Sequence, residues 1–188
     1  MSTPTDMNIL DVTGRWHLNR TLSDSLENTF ALQGIPWIIR KVINWADLEL
    51  QYVKLPPTEE STATRFSFKQ TVRPGGFDTK NEYVVDGEKR TDTVPIFGEI
   101  TMHCAYVGRK DLKEEELLGR EIESVDEDHA AIVEVVNSEN MGWTTTTVWG
   151  FETIDGERRL CKYNTTTKDD QIETARMVHD YIGEPIVV

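Results

Sequence analysis

A chain of 188 residues with 38% apolar side chains is long enough for one domain with a substantial core. Its 33 acidic residues outnumber 20 basic ones, and the resulting formal net charge of −13 repels phosphate backbones and anionic lipid surfaces, which argues against nucleic acid as a partner. No apolar run approaches the roughly 18 residues needed to cross a bilayer. The opening MSTPTDMN lacks the charged and apolar regions of a secretory leader, so the expected location is the cytoplasm and the chain is not expected to be an integral membrane protein.

The first strand opens at Gly14-Arg15-Trp16, with Trp16, Leu18 and Arg20 on one side. Ser23 and Asp24 stand where they can cap a first helix, on which Leu22, Leu26 and Phe30 share a face, and Gly34 ends it. Pro36 suits the first turn of a second helix whose Trp37, Ile38, Ile39, Val42 and Ile43 leave little of its circumference polar, with Asn44 at its close. Helices this short are marginal alone and need an apolar support, which predicts a lid with Phe30 and Trp37 facing inward.

The rest reads as strands. Asp47 to Leu55 alternates Leu48, Leu50 and Tyr52 against Glu49, Gln51 and Val53, and ATRFSFKQTV alternates Phe66 and Phe68 against Arg65, Ser67 and Lys69. Pro74-Gly75-Gly76 predicts a turn, and Asp86-Gly87 predicts a hairpin whose first strand carries Tyr83. Gly98 to Val107 sets Ile100, Met102, Cys104 and Tyr106 opposite Glu99, Thr101, His103 and Ala105. Residues 110–128 are dense in acid and without sustained alternation; helix, loop and strand stay open there, and a solvated excursion between strands is the expected role. His129 to Val136 is β-prone. Trp143, Thr145, Thr147, Trp149 and Phe151 then share a face, and a turn at Ile154-Asp155-Gly156-Glu157 leads to a strand on which Leu160, Lys162 and Asn164 face the same way. The last strand sets Arg176 and Val178 opposite Met177, His179 and Tyr181. Eight or more consecutive strands with short turns predict a closed up-and-down antiparallel barrel, all-β in class, as a single domain over residues 1–188.

Strand, helix, tight turn, helix and then strands only, beginning on the Gly14-Arg15-Trp16 pattern, resembles the fatty-acid-binding branch of the calycins, the superfamily that includes the lipocalins. More narrowly, the chain is similar to small fungal lipocalin-like proteins. The resemblance implies a calycin-like barrel with a two-helix lid after the first strand. It also places Arg176 inside the barrel, at the first position of the family's Arg-x-Tyr pair, although Val178 stands where the Tyr would be. A second family Arg falls near Phe151, and this favours an apolar or aromatic ligand over a simple fatty acid.

The predicted ligand wall comprises Phe30, Trp37, Phe66, Phe68, Tyr83, Trp143, Thr147, Trp149, Phe151, Lys162, Asn164 and Arg176, large apolar surfaces with a few orienting polar groups. The acid-base candidates are Arg176, Lys162, Tyr163, His103 and Glu134, and strand parity leaves open which of His103, Glu134 and Tyr163 face inward. Cys104 and Cys161 lie far apart without metal-ligand spacing and read as free thiols, and the four His show no paired spacing for zinc, so neither a metal nor a cofactor is expected. Two functions follow: binding of a hydrophobic small molecule in the barrel, or a cofactor-independent cyclase or isomerase that acts on a secondary metabolite in the same cavity.

Overall fold

The computed structural model describes residues 2–59, 61–74, 76, 78–94 and 96–186. Its strands are β1 Gly14–Leu18, β2 Asp47–Leu55, β3 Thr64–Arg73, β4 Thr79–Val85, β5 Arg90–Val94, β6 Gly98–Val107, β7 Ala131–Ser138, β8 Trp143–Ile154, β9 Glu157–Lys168 and β10 Gln171–Gly183, with helices α1 Glu27–Leu32 and α2 Trp37–Trp45 between the first two. The ten strands hydrogen-bond in the order β4-β3-β2-β1-β10-β9-β8-β7-β6-β5, and a β4–β6 pairing closes the ring. The barrel and its two-helix lid are as the sequence predicts. Of the Pro74-Gly75-Gly76 turn, Gly75 lies outside the described residues.

Closure differs from the expected hairpin at Asp86-Gly87. Gly87 turns the chain at φ +78°, and its amide donates to the Cys104 carbonyl at 2.8 Å. The flanking strands then part, because β6 is long enough to pair with β5 along residues 98–102 and still meet β4 at Val85↔Cys104. Asp86 binds the Arg90 guanidinium at 2.6 Å. Nine strands therefore form the ring, and β5 occupies the remaining stretch of the same β6 edge.

Inside, the register divides the barrel by depth. Trp16, Leu50, Tyr52, Phe66, Phe68, Cys104, Ile132, Trp149, Phe151, Leu160 and Tyr181 form one buried cluster at the end away from the lid. Ile9 and Val12 from the N-terminal segment plug that end, and the Trp16 indole donates to the Val12 carbonyl at 3.0 Å. Next to the lid the same inward faces continue with smaller or polar side chains and leave a cavity.

The acidic segment is more than a solvated excursion. After two 3-10 turns, at Arg109–Asp111 and Glu115–Leu117, it packs Leu112 and Leu117 on the outer wall against Val148, Cys161, Tyr163 and Val178, forming a second core outside the barrel. Ile122 sits on Gly150, where a Cβ would come within 2.8 Å of it. The acids point to solvent while the interspersed leucines are buried. Leu117 is fully buried, so Leu117→Ala should cost about 2 to 5 kcal/mol in urea unfolding. A change within 0.5 kcal/mol would mean that the segment contributes nothing to the fold.

Ser23 and Asp24 do not cap α1, whose N-cap is Leu26 with no side-chain bond. Both are drawn to the exposed edge that β10 presents beyond the end of β1. The Val178 amide donates to Ser23 Oγ and the Arg176 amide to Asp24 Oδ2, each at 2.8 Å, and this bonding staples the base of the lid to the barrel. Helix α2 buries none of its residues. It lies across the barrel mouth, with Ile43 and Asn44 turned toward the cavity while Trp37 and Trp45, eight residues apart on one face, are 63% and 85% exposed.

Candidate functional site

The cavity under the lid has a volume of about 1020 Å³. Its apolar wall is built from positions set by strand parity: Leu18, Leu48, Val72, Ile100, Met102, Val136, Trp143 and Met177. Phe30 and Thr29 close it from α1, and Phe97 stands edge-on to Trp143 with ring centroids 4.9 Å apart.

One wall is polar and continuous. Just past the end of α1 its C-cap residue Gln33 reaches a point where its Nε2 donates to Thr145 Oγ1 at 2.9 Å. Thr145 and Thr166 share a 2.7 Å bond, Thr166 donates to Asn164 Oδ1 at 3.2 Å, and Asn164 Nδ2 donates to Thr147 Oγ1 at 3.1 Å. The chain of bonds runs from lid to floor on alternate residues of β8 and β9, and all its members are buried. Thr147 pairs across the sheet with Glu134.

At the floor the Trp149 indole donates to Glu134 Oε2 at 3.0 Å, and Lys162 Nζ lies 3.6 Å from the centroid of the Trp149 ring and donates to the Tyr52 hydroxyl at 2.8 Å. Burial raises the Glu134 carboxyl, while Lys162, Trp149 and Tyr83 pull it back. Burial also lowers the Lys162 ammonium to about 8, against the attraction of Glu134. Tyr52 and Tyr83 are pushed up by burial and then by the Glu134 charge, so both stay protonated donors. Cys104, across the sheet from Glu134, is pushed up to about 12 by burial and is no nucleophile.

Of the residues singled out from sequence, Phe30, Tyr83, Trp143, Thr147, Asn164 and Glu134 line this cavity. Phe66, Phe68, Trp149 and Phe151 have the inward orientation expected but belong to the packed end. Lys162 is inward too, behind Trp149 and beneath the floor. Trp37 faces solvent. His103 pairs with Val135 on the outward set of β6 and β7, and Tyr163 lies in the outer core, where its hydroxyl donates to Glu152 at 2.8 Å.

Arg176 departs furthest from expectation. Met177 lines the cavity, so Arg176 points outward, where its guanidinium meets Glu152 at 3.1 Å and the Leu22 carbonyl at 3.2 Å. Trp16 fixes this parity: it pairs with Tyr181 inside the barrel and makes 177, 179 and 181 the inward set. Arg176→Met should lower stability by roughly 2 to 4 kcal/mol by leaving Glu152 without its charge partner, and should leave cavity affinity within about twofold. Calorimetry and ligand titration on one sample test this, and a tenfold loss of affinity at unchanged stability would return Arg176 to the site.

Residues the sequence reading passed over include Gln33, Thr29, Met102, Val136 and Met177. Parity alone identifies the last three. Gln33 and Thr29 follow from α1, since Thr29 lies four positions before Gln33 and next to Phe30 on the covered side.

Among the described residues no group of three His, Cys, Asp or Glu is arranged to hold a metal ion, and no helix is long and apolar enough to cross a membrane.

A closed antiparallel ring, a helical pair after the first strand and a largely apolar cavity beneath it make a fold that solved fatty-acid-binding proteins share. No protein-family model matches the chain. Similar solved structures include a fatty-acid-binding protein of Schistosoma mansoni in complex with arachidonic acid (TM-score 0.57, 13% identity, 91% of this chain and 96% of that one). The fluorescent protein UnaG is also similar (TM-score 0.58, 16% identity, 91% and 97%). Among curated proteins the chain is 26% identical over 184 residues to the probable pericyclase scpY of Mollisia scopiformis, covering 97% of this chain and 95% of that one. Pericyclase pydY of an Acremonium species is likewise 26% identical over 184 residues, covering 97% and 98%.

Proposed function

We propose that this protein is a pericyclase: it folds a flexible hydrophobic substrate in the barrel cavity and lets it close a ring by concerted electron reorganisation. The observation that carries the reading is the cavity itself, apolar on most of its wall and polar along one line from Gln33 to Glu134, in a chain similar to two pericyclases over 97% of its length. A pericyclic closure moves electrons within one molecule, so it asks the protein for shape and a few hydrogen bonds in place of a nucleophile. Holding two ends of one chain in a near-attack arrangement supplies most of the acceleration, and donors aimed at a conjugated carbonyl add to it. The Tyr83 hydroxyl and the second amide hydrogen of Asn164, whose first is given to Thr147, are the cavity-wall donors this reading assigns to that second role.

A second reading, a binding protein that holds its ligand unchanged, is favoured by the fold alone, which recurs in the fatty-acid-binding protein above. One experiment separates the two. The substrates of the two similar pericyclases are incubated with the purified protein and followed by chromatography with mass detection. The pericyclase reading expects a product of unchanged mass and altered retention, formed faster than in buffer. A substrate that is retained by the protein and recovered unaltered would overturn it in favour of binding.

A further inference from the structure

Glu134 is 8% exposed and lines the cavity, yet only one of its carboxylate oxygens is used. Oε2 accepts the Trp149 N–H, whereas Oε1 has no partner at hydrogen-bonding distance among the described residues and is not sealed off by protein atoms; the Tyr83 hydroxyl acts on the same carboxyl from the cavity wall without closing a bond to it. The other charged side chains on the cavity wall lie at the mouth and are engaged there: Arg20 holds the Ile43 and Ala46 carbonyls of the lid, Asp78 holds Arg73, and Asp24 holds the Arg176 amide. A carboxylate at the floor of an apolar cavity is costly, and a hydrocarbon of the same size would not be. Its unused oxygen is therefore the feature that a ligand completes.

We infer that Glu134 Oε1 accepts a hydrogen bond from an N–H or O–H of the bound molecule, so the cavity selects a neutral, donor-bearing polar head on an apolar body. A carboxylate head is rejected because it would meet Glu134, the sole buried charged side chain on the wall among the described residues. The Lys162 ammonium beneath the floor, stacked on Trp149, already balances the Glu134 charge, so a cationic head gains little there. This choice of head is opposite to that of a barrel with an inward arginine; here Arg176 is outside and tied to Glu152. The inference rests on the reading of the cavity as a small-molecule site and adds which head it takes.

The test uses displacement of bound Nile red by three probes of one chain length at pH 8: decanamide, which donates N–H; N,N-dimethyldecanamide, which keeps the carbonyl and has no donor; and decanoate. In the wild-type protein decanamide should displace the dye at about tenfold lower concentration than the dimethyl compound, the scale of one buried hydrogen bond to a charged group, and decanoate should be weakest. In Glu134→Gln the side-chain oxygen stays on Trp149 and an amide NH₂ faces the cavity. The preference for decanamide should vanish, and decanoate should gain about tenfold. Equal displacement by all three probes in the wild-type protein would overturn the inference whatever the variant does, as would an unchanged decanamide preference in a folded Glu134→Gln. Failure of Nile red itself to bind would overturn the cavity reading, and the inference with it.

Discussion

Replacing Lys162 by Met is expected to destabilise the protein by roughly 2 to 4 kcal/mol at pH 8, and much of that loss should return when Glu134→Gln is added. Lys162 is buried on β9 between the Trp149 face and the Tyr52 hydroxyl, and its ammonium, lowered to about 8, is still substantially charged there. Methionine keeps the length and a favourable contact with the aromatic ring but removes the charge that balances Glu134. Glu134 would then be a buried carboxylate held chiefly by the Trp149 N–H, and its pKa, already raised by burial, would rise further. The sign with pH follows. In the interval above its ordinary value, 4.5, and below the raised folded one, the folded protein binds a proton that the unfolded chain does not, so acidification through it stabilises the fold. The deficit of Lys162→Met should therefore shrink from pH 8 to pH 5.5. Urea unfolding of wild type, both single variants and the double variant at the two pH values measures the coupling directly. Additive losses at both pH values would show that the two charges do not sense one another.

Lys162 also shows how far a sequence can be read here. Period-two alternation separated the two faces of β2, β3, β6, β8 and β9 but left open whether His103 and Tyr163 face inward, and turn chemistry and order gave the barrel and its helical lid. Parity states which face a residue is on, however, and not how far along the barrel axis it lies. Trp143 and Thr147 line the cavity while Trp149 and Phe151, on the same face of the same strand, sit in the packed end. The difference is set by register against Trp16, Tyr52 and Phe66 on strands distant in sequence, which no local pattern contains. Arg176 was misplaced for a different reason, because its assignment came by resemblance while the alternation around it already put Met177 and Tyr181 opposite. The buried leucines of residues 110–128 were hidden by the acids between them, since a segment docked on an outer wall by a few side chains has no period of its own. The solvent-facing Trp37 of α2 was hidden by its own hydrophobicity, which reads as core wherever it occurs.

The second large effect concerns acid, and it should come from His179, a residue the site does not use. His179 is fully buried on the inward face of β10, across from Leu160, whose carbonyl takes its Nδ1 hydrogen at 3.2 Å. Its Nε2 has no partner among the described residues, and the Lys162 ammonium acts on the same ring. Burial first and Lys162 second lower the imidazole from 6.5 to about 3, with the Leu160 carbonyl and Asp180 opposing weakly. Above the ordinary value neither state binds the proton and the group contributes no pH dependence. As pH falls from 6.5 toward 3 the unfolded chain takes up a proton that the folded one refuses, and stability declines by about 1.4 kcal/mol per unit; below the folded value the decline stops. By pH 3.5 the loss should reach about 4 kcal/mol. His179→Leu fills a similar volume without a titratable group or an unsatisfied nitrogen, so it should unfold at a lower pH than wild type, while near pH 7.5 its stability should change by no more than about 1 kcal/mol. Other carboxylates titrate in the same range, Glu134 in the opposite sense, but they are common to both proteins and cancel in the difference. The measurement is the difference in unfolding free energy between the two proteins at half-unit steps from pH 7.5 to 3.5. A difference that stays flat across that range would show that His179 accepts its proton in the folded barrel, with Lys162 too far away or too often neutral to prevent it.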